Sequence, residues 1–191
     1  EGYKTLAYEL FLQLDRQLPG AVLIPTGYGE LLYGIYKGFR ELTILGLTRH
    51  IPKLYSVEPA TRAPLAQAVH QGLAIASVAA LPTRQLSTAC LVNGYRGVVA
   101  LRESGGRPLV VTDDAVSLAQ DRLRKQGLWQ EFSGASAYAA LEQLSEAECD
   151  ATIVGVGTSS GVKDPNKASD LRVLHPSLDA LREHFKNRLD L

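Results

Sequence analysis

The stretch Ala21-Val22-Leu23-Ile24-Pro25-Thr26-Gly27-Tyr28-Gly29 decides how this chain folds. Its four opening apolar residues, Ala21 to Ile24, suit a strand buried on both faces. The turn Thr26-Gly27-Tyr28-Gly29 follows, and then Leu32, Ile35, Tyr36, Phe39 and Leu42 fall at helical spacing. Strand, glycine turn and helix in that order predict one unit of a parallel α/β sheet.

The pattern extends in both directions. Upstream, Leu6, Ala7, Leu10, Phe11 and Leu14 predict a helix that Pro19-Gly20 ends. Downstream, Lys53 to Val57 and Pro108 to Val111 read as strands, and Thr152 to Val156 gives the clearest spelling of a buried strand. Pro64 to His70 and Tyr95 to Glu103 read as helices, the second stopped by Ser104-Gly105-Gly106. Thr112 is placed to cap a helix carrying Val116, Ala119 and Leu123, with Asp113 and Asp114 in its first turn. Ser133 is placed to cap another, through about Leu144. Leu128-Trp129-Gln130 reads as a short extended piece, and Leu178, Leu181, Phe185 and Leu189 mark a terminal helix. Gly72 to Leu91 has no clear period and reads as a loop with a helical turn. Together these elements predict a parallel sheet with helices on both faces, in one domain over residues 1–191.

Composition narrows the function. The 191 residues balance 20 Lys+Arg against 20 Asp+Glu, so the chain lacks the basic excess of a general nucleic-acid or membrane-surface binder. No apolar run reaches bilayer length. The two cysteines, Cys90 and Cys149, form neither a disulfide framework nor a CxxC zinc motif. A cytoplasmic globular protein is the expectation. The chain has no methionine and opens at Glu1, inside what reads as a helix, which leads us to expect a piece of a longer protein.

In open α/β sheets, ligands bind beyond the carboxyl ends of the strands. Three loops qualify as candidates: Thr26 to Leu31, Glu131 to Ala135 and Gly157 to Lys163. The first joins a strand to a helix N-terminus through two glycines, so its backbone N–H groups suit a phosphate, although a plain tight turn needs the same glycines. It lacks the Gly-Lys-Ser/Thr of a Walker loop and the third glycine of a dinucleotide fingerprint. Gly157-Thr158-Ser159-Ser160-Gly161 matches the letters of a nucleophile elbow, with Ser159 as nucleophile, Asp164 or Asp170 as acid and His175 or His184 as base. An elbow feeds straight into a helix, whereas Val162-Lys163-Asp164-Pro165 reads as a turn, so a polar loop facing a ligand is the better reading. The histidines His50, His70, His175 and His184 show no helical pairing for a metal and read as surface or capping residues. Glu9, Glu41, Glu103 and Glu142 read as solvated-face charges, and Trp129 as a core or rim residue.

The same loops and their flanks resemble a known family. Glu1-Gly2-Tyr3-Lys4-Thr5 with Ala7-Tyr8-Glu9, Pro25 to Gly29 followed by Gly34 and Lys37-Gly38-Phe39, Glu103 to Gly106 followed by Val111-Thr112-Asp113, Gln130 to Ala135, and Thr158 to Pro165 stand in one order. That order resembles the second half of threonine synthases and their relatives among fold type II pyridoxal-phosphate enzymes. The resemblance covers roughly residues 1 to 165. It implies part of the large domain of the tryptophan synthase beta-like fold, in the C-terminal part of a two-domain enzyme. The cofactor implied is pyridoxal 5'-phosphate. Its phosphate would lie on Gly27, Tyr28, Gly29, Glu30 and Leu31, its pyridine nitrogen on Thr158, with Glu131 beside it. A neutral hydroxyl there would leave the ring nitrogen largely unprotonated.

Two departures from the family pattern stand out. The Schiff-base lysine belongs to a Ser/Phe-Lys-Asp-Arg context that this chain lacks, and Lys4 and Lys163 match other positions. No catalytic residue is therefore assigned in this chain, and the isolated chain is expected to be inactive. Glu30 and Leu31 stand where threonine synthases often place Gly and Asn, which puts a carboxylate at a helix N-terminus that favours anions. The implied activity is conversion of O-phosphohomoserine and water to threonine and phosphate, by a cytoplasmic dimer acting on a small amino acid. A serine/threonine dehydratase or another β-replacement enzyme, and a non-catalytic anion- or partner-binding relative, are the alternatives.

Overall fold

The computed structural model describes residues 1–164, 177–180, 182 and 186. Four parallel strands form one sheet: β1 (Ala21–Pro25), β2 (Lys53–Pro59), β3 (Pro108–Val111) and β4 (Ile153–Gly155), in the order β3-β2-β1-β4. β1 lies between its neighbours, with Val22 opposite Leu54 on one side and Val154 on the other. Parallel strands cannot be joined by tight turns, so each connection carries helix.

The apolar run of β1 is continuous because both faces are covered. Val22 and Ile24 pack with Leu54 against α1 (Thr5–Gln13), α2 (Glu30–Ile44) and α4 (Tyr95–Ser104). Ala21 and Leu23 point the other way, with Tyr55, Val57 and Leu109, against α5 (Asp113–Lys125) and α6 (Ser136–Ala139). Two further short helices are α3 (Pro64–His70) and α7 (Glu146–Cys149). The parallel sheet with helices on both faces is as the sequence predicts.

Local chemistry explains two helix starts. The Thr112 hydroxyl accepts the Ala115 N–H and caps α5, as its position implies. Ser145 and Glu148 form a reciprocal capping box around α7, a helix that the Ser-x-x-Glu spelling announces but the apolar pattern does not. The Tyr55 hydroxyl donates to Glu148 and ties α7 to β2.

Three expectations are corrected. Thr152 to Val156 is not a deeply buried strand: among the described residues β4 is the sheet edge, its Ile153 and Val154 are half-buried and Gly155 is exposed. Its apolar spelling matches a two-sided setting, whereas its position here gives it one neighbour. Ser133 caps no helix. Its hydroxyl accepts the Ser87 N–H at 3.1 Å, α6 starts only at Ser136, and a 3-10 turn over Ala140–Gln143 ends the helical stretch. Glu41 is no solvated-face charge either. It accepts from the Tyr8 hydroxyl and bridges Lys4 at 3.0 Å and Lys37 at 3.1 Å, which pins α1 to α2 and holds its carboxyl down at about 2. Glu9, Glu103 and Glu142 are exposed, as are His50 and His70. Leu181, Phe185, Leu189, Asp170, His175 and His184 lie outside the described residues.

Candidate functional site

β1 and β4 are neighbours whose following loops diverge, which is where an open α/β sheet leaves a crevice. A cleft of about 330 Å³ lies there. Gly27, Tyr28, Gly29, Glu30, Leu31, Glu131 and Thr158 all line it. The structure thus brings every residue singled out for the cofactor into one place.

The loop after β1 is held from behind. Thr26 N donates to Val57 O at 2.8 Å, and its hydroxyl turns back to Ile24 O at 2.7 Å. Gly94 N donates to Tyr28 O at 2.8 Å, fixing the loop against the start of α4. Gly29 has φ of +105°, and a Cβ there would stand 3.3 Å from Gly97 Cα, so both its backbone angle and its neighbour require glycine. The N–H groups of residues 27–32 meet no acceptor among the described residues. A run of free donors leading into a 15-residue helix is an anion cradle. The Glu30 carboxylate leaves that cradle: it is half exposed and reaches Arg96 at 3.3 Å.

The opposite wall comes from two other segments. The Glu131 side chain is buried and accepts from the Ser87 hydroxyl, while Lys163 Nζ lies 3.8 Å from its other oxygen. Glu131 N donates to Ser159 O at 2.9 Å, and Gln130 pairs with Ser160 in an antiparallel bridge. The extended reading of Leu128-Trp129-Gln130 thus corresponds to a real pairing at Gln130. Thr158 sits over Gly134, whose absent Cβ would lie 3.2 Å from Thr158 Oγ1. That hydroxyl has no partner among the described residues and lines the cleft.

Sequence reasoning missed three polar cleft residues: Ser87, Thr88 and Cys90. All three belong to Gly72 to Leu91, which has no period to read. The half-buried Cys90 Sγ lies 3.1 Å from where a Cβ would stand on Gly27, so the two residues meet in the cleft lining. Burial, with the Glu58 carboxylate adding to it, pushes the Cys90 thiol up and keeps it protonated near neutrality. Lys163 had a signal in its motif but no reason to be placed beside Glu131. Ser159 lines the cleft too, yet it leads into a 3-10 turn over Gly161–Lys163 and not into a helix. Asp164, its nearest candidate acid, spends both carboxylate oxygens elsewhere, on Gln120 and Phe132 N.

A cradle of backbone donors, a free hydroxyl facing it and a glycine-lined floor fit a flat ring bearing a phosphate. The sequence points to the same class. The chain belongs to the pyridoxal-phosphate dependent enzyme family, whose pattern matches residues 1–158. Among its relatives, the threonine synthase of Methanosarcina acetivorans is 32% identical over 96% of this chain and 48% of its own length. That of Methanocaldococcus jannaschii is 33% identical over 88% of this chain and 43% of its own. The chain spans about half the length of these relatives. The fold matches a threonine deaminase from T.th. (TM-score 0.66, 27% identity, 82% of this chain and 55% of that one). It also matches maize serine racemase (TM-score 0.68, 20% identity, 98% and 54%).

Proposed function

We propose that this chain is the cofactor-holding C-terminal part of a two-domain pyridoxal-phosphate enzyme that acts on a small amino acid by elimination or replacement. The observation that carries this is the run of unbonded N–H groups at 27–32 facing Thr158 and Glu131 across one cleft. Gly27, Tyr28, Gly29, Glu30 and Leu31 bind the phosphate through their backbone. Thr158 directs its hydroxyl to the ring nitrogen, and as a neutral partner it adds no charge there. Glu131 holds the Ser87 turn against the cleft. When bound, pyridoxal phosphate supplies an electron sink for a carbanion on the amino acid. The lysine that would carry the cofactor is not assigned within this chain.

Similarity to threonine synthases over nearly the whole chain favours hydrolytic conversion of O-phosphohomoserine to threonine and phosphate. The likeness to a threonine deaminase at 27% identity supports dehydration of threonine or serine as the second reading. A cytoplasmic location is part of the same reading; among the described residues no helix is long and apolar enough to cross a membrane. The half-exposed edge strand β4 favours assembly into a dimer, to be read by sedimentation.

The cradle is tested by titrating the protein with pyridoxal phosphate and with pyridoxal. Binding that requires the phosphate group is the expected result. Equal binding of both, or of neither, overturns the reading. The reaction is then read in the gene product as the cell makes it. Phosphate released from O-phosphohomoserine identifies a synthase, ammonia released from threonine identifies a dehydratase, and neither product leaves a binding protein.

A further inference from the structure

Asp164 follows the cleft residue Lys163 without lining the cleft itself. It stands six residues beyond Thr158, is half-buried, and makes two bonds to different parts of the chain. Its Oδ2 accepts from Gln120 Nε2 at 2.5 Å and its Oδ1 from Phe132 N at 3.2 Å. Gln120 is 3% exposed, lies on α5, and also donates from Nε2 to Gln130 O at 2.9 Å. Around this centre the segments 129–132 and 159–164 are zipped together. Glu131 N meets Ser159 O at 2.9 Å, and Gly161 N meets Trp129 O at 3.0 Å. Gly161 packs so closely on the Trp129 indole that a Cβ would stand 2.1 Å from its Nε1.

We propose that Asp164 is a positioning residue: through Gln120 and the Phe132 amide it locks the loop after β4 onto the Glu131 segment, and so sets Thr158 over Gly134 at the cofactor ring. The physical need is clear. Thr158 is exposed and follows an edge strand with one neighbour, so the sheet alone does not fix it. A carboxylate held by a buried amide and a backbone N–H supplies two charge-assisted bonds where the strand supplies none. Gln120 in turn rests on α5, a 13-residue helix with its own cap, so the clamp is tied to a rigid element.

This proposal rests on the cofactor reading for its functional consequence, and two probes separate the two. Pyridoxine phosphate carries ring and phosphate without a reactive aldehyde; inorganic phosphate carries the phosphate alone. Asp164→Ala weakens pyridoxine phosphate about tenfold and leaves inorganic phosphate within about twofold of wild type. Asp164→Asn, which keeps the acceptor for Phe132 N, recovers part of that loss. Gln120→Met, cutting the clamp at its other end, reproduces Asp164→Ala. Thr158→Val lowers pyridoxine phosphate affinity similarly, and the Asp164→Ala/Thr158→Val double variant loses little more than either alone, because both changes remove one ring contact.

Hydrogen exchange reads the clamp without any ligand. In Asp164→Ala the amides of Glu131, Phe132 and Gly161 exchange faster together, while those of β1 keep their protection. Unchanged exchange at those three amides overturns the clamp. Equal weakening of both probes, or of neither, overturns the positioning role while the cofactor reading stands. A wild-type protein that binds neither probe overturns the cofactor reading, and the role at the ring with it.

Discussion

The loops after β1 and β4 leave the same end of one sheet and face one another across the cleft, but different forces hold them. The loop after β1 grows from a strand buried on both faces, and backbone does most to shape it: two glycines, a helix start, and bonds to Val57 and Gly94, with the Thr26 hydroxyl turned back on Ile24 O. The loop after β4 grows from a half-buried edge strand, and side chains shape it: Asp164, Gln120 and the face of Trp129. A binding wall made of backbone needs a rigid strand beneath it. A wall that presents a side chain can be assembled on an edge, provided another side chain clamps it.

The largest test of this contrast is a pair of core truncations. Leu23→Ala, in the fully buried middle of β1, should cost about 2–5 kcal/mol in urea denaturation, whereas Val154→Ala on half-buried β4 should cost about 1 kcal/mol or less. Equal costs would erase the distinction between centre and edge. Next in size is Gly29→Ala, whose φ of +105° and contact with Gly97 should cost roughly 1–3 kcal/mol and weaken inorganic phosphate binding. If its phosphate affinity is unchanged, the cradle does not depend on the shape of this turn.

A third strand end sharpens the picture through pH. Glu58, at the end of β2, is 1% exposed and accepts the N–H groups of Leu65 and Ala66 at the start of α3. Burial pushes its carboxyl from the ordinary 4.5 up to about 7, although the two amide donors oppose that shift. The native state therefore holds a proton that the unfolded chain has already released between those values. Its contribution is fully present below about 4.5 and is lost as the pH rises through about 7, with a slope of at most about 1.4 kcal/mol per pH unit. Denaturation midpoints across that window should show the fall in wild type, and Glu58→Gln should flatten it. The smallest effect concerns Glu30. Removing its charge with Glu30→Gln should tighten inorganic phosphate about two- to fivefold at low salt, the size expected for one exposed carboxylate at a helix N-terminus. Weaker binding would mean that the Arg96 pair helps hold the cradle open.

The same contrast explains what could be read before the structure. Ala21 to Ile24, the Thr26–Gly29 turn and the Thr112 cap follow local rules, since burial on both faces, backbone angles and helix ends leave signatures within a few residues. The edge position of β4 left none, because strand order is a long-range property and an apolar spelling does not count neighbours. Ser133 misled for a related reason: its hydroxyl serves Ser87, 46 residues away, and not the next helix. The Gly72 to Leu91 segment was opaque because side chains reaching far along the chain order it. Asp113 accepts from Thr83, Arg84 N and Gln85, and Asn93 joins Ala74 to Ala76. Ser87, Thr88 and Cys90 came into the site by that route. The motif order found the seven cleft residues Gly27 to Leu31, Glu131 and Thr158, but it could not say how Thr158 is held.

The close fit of Gly161 against Trp129 makes the chain its own optical gauge. Trp129 is the sole tryptophan, and its indole Nε1 is buried without a hydrogen-bond partner among the described residues. Emission excited selectively from this one indole therefore comes from a single place, the back of the loop that carries Thr158. Loosening of that loop admits water to the indole and shifts the emission to the red, and a pyridine chromophore in the cleft quenches it by energy transfer. The state of the Thr158 loop can thus be followed in solution, in real time, without attaching a label.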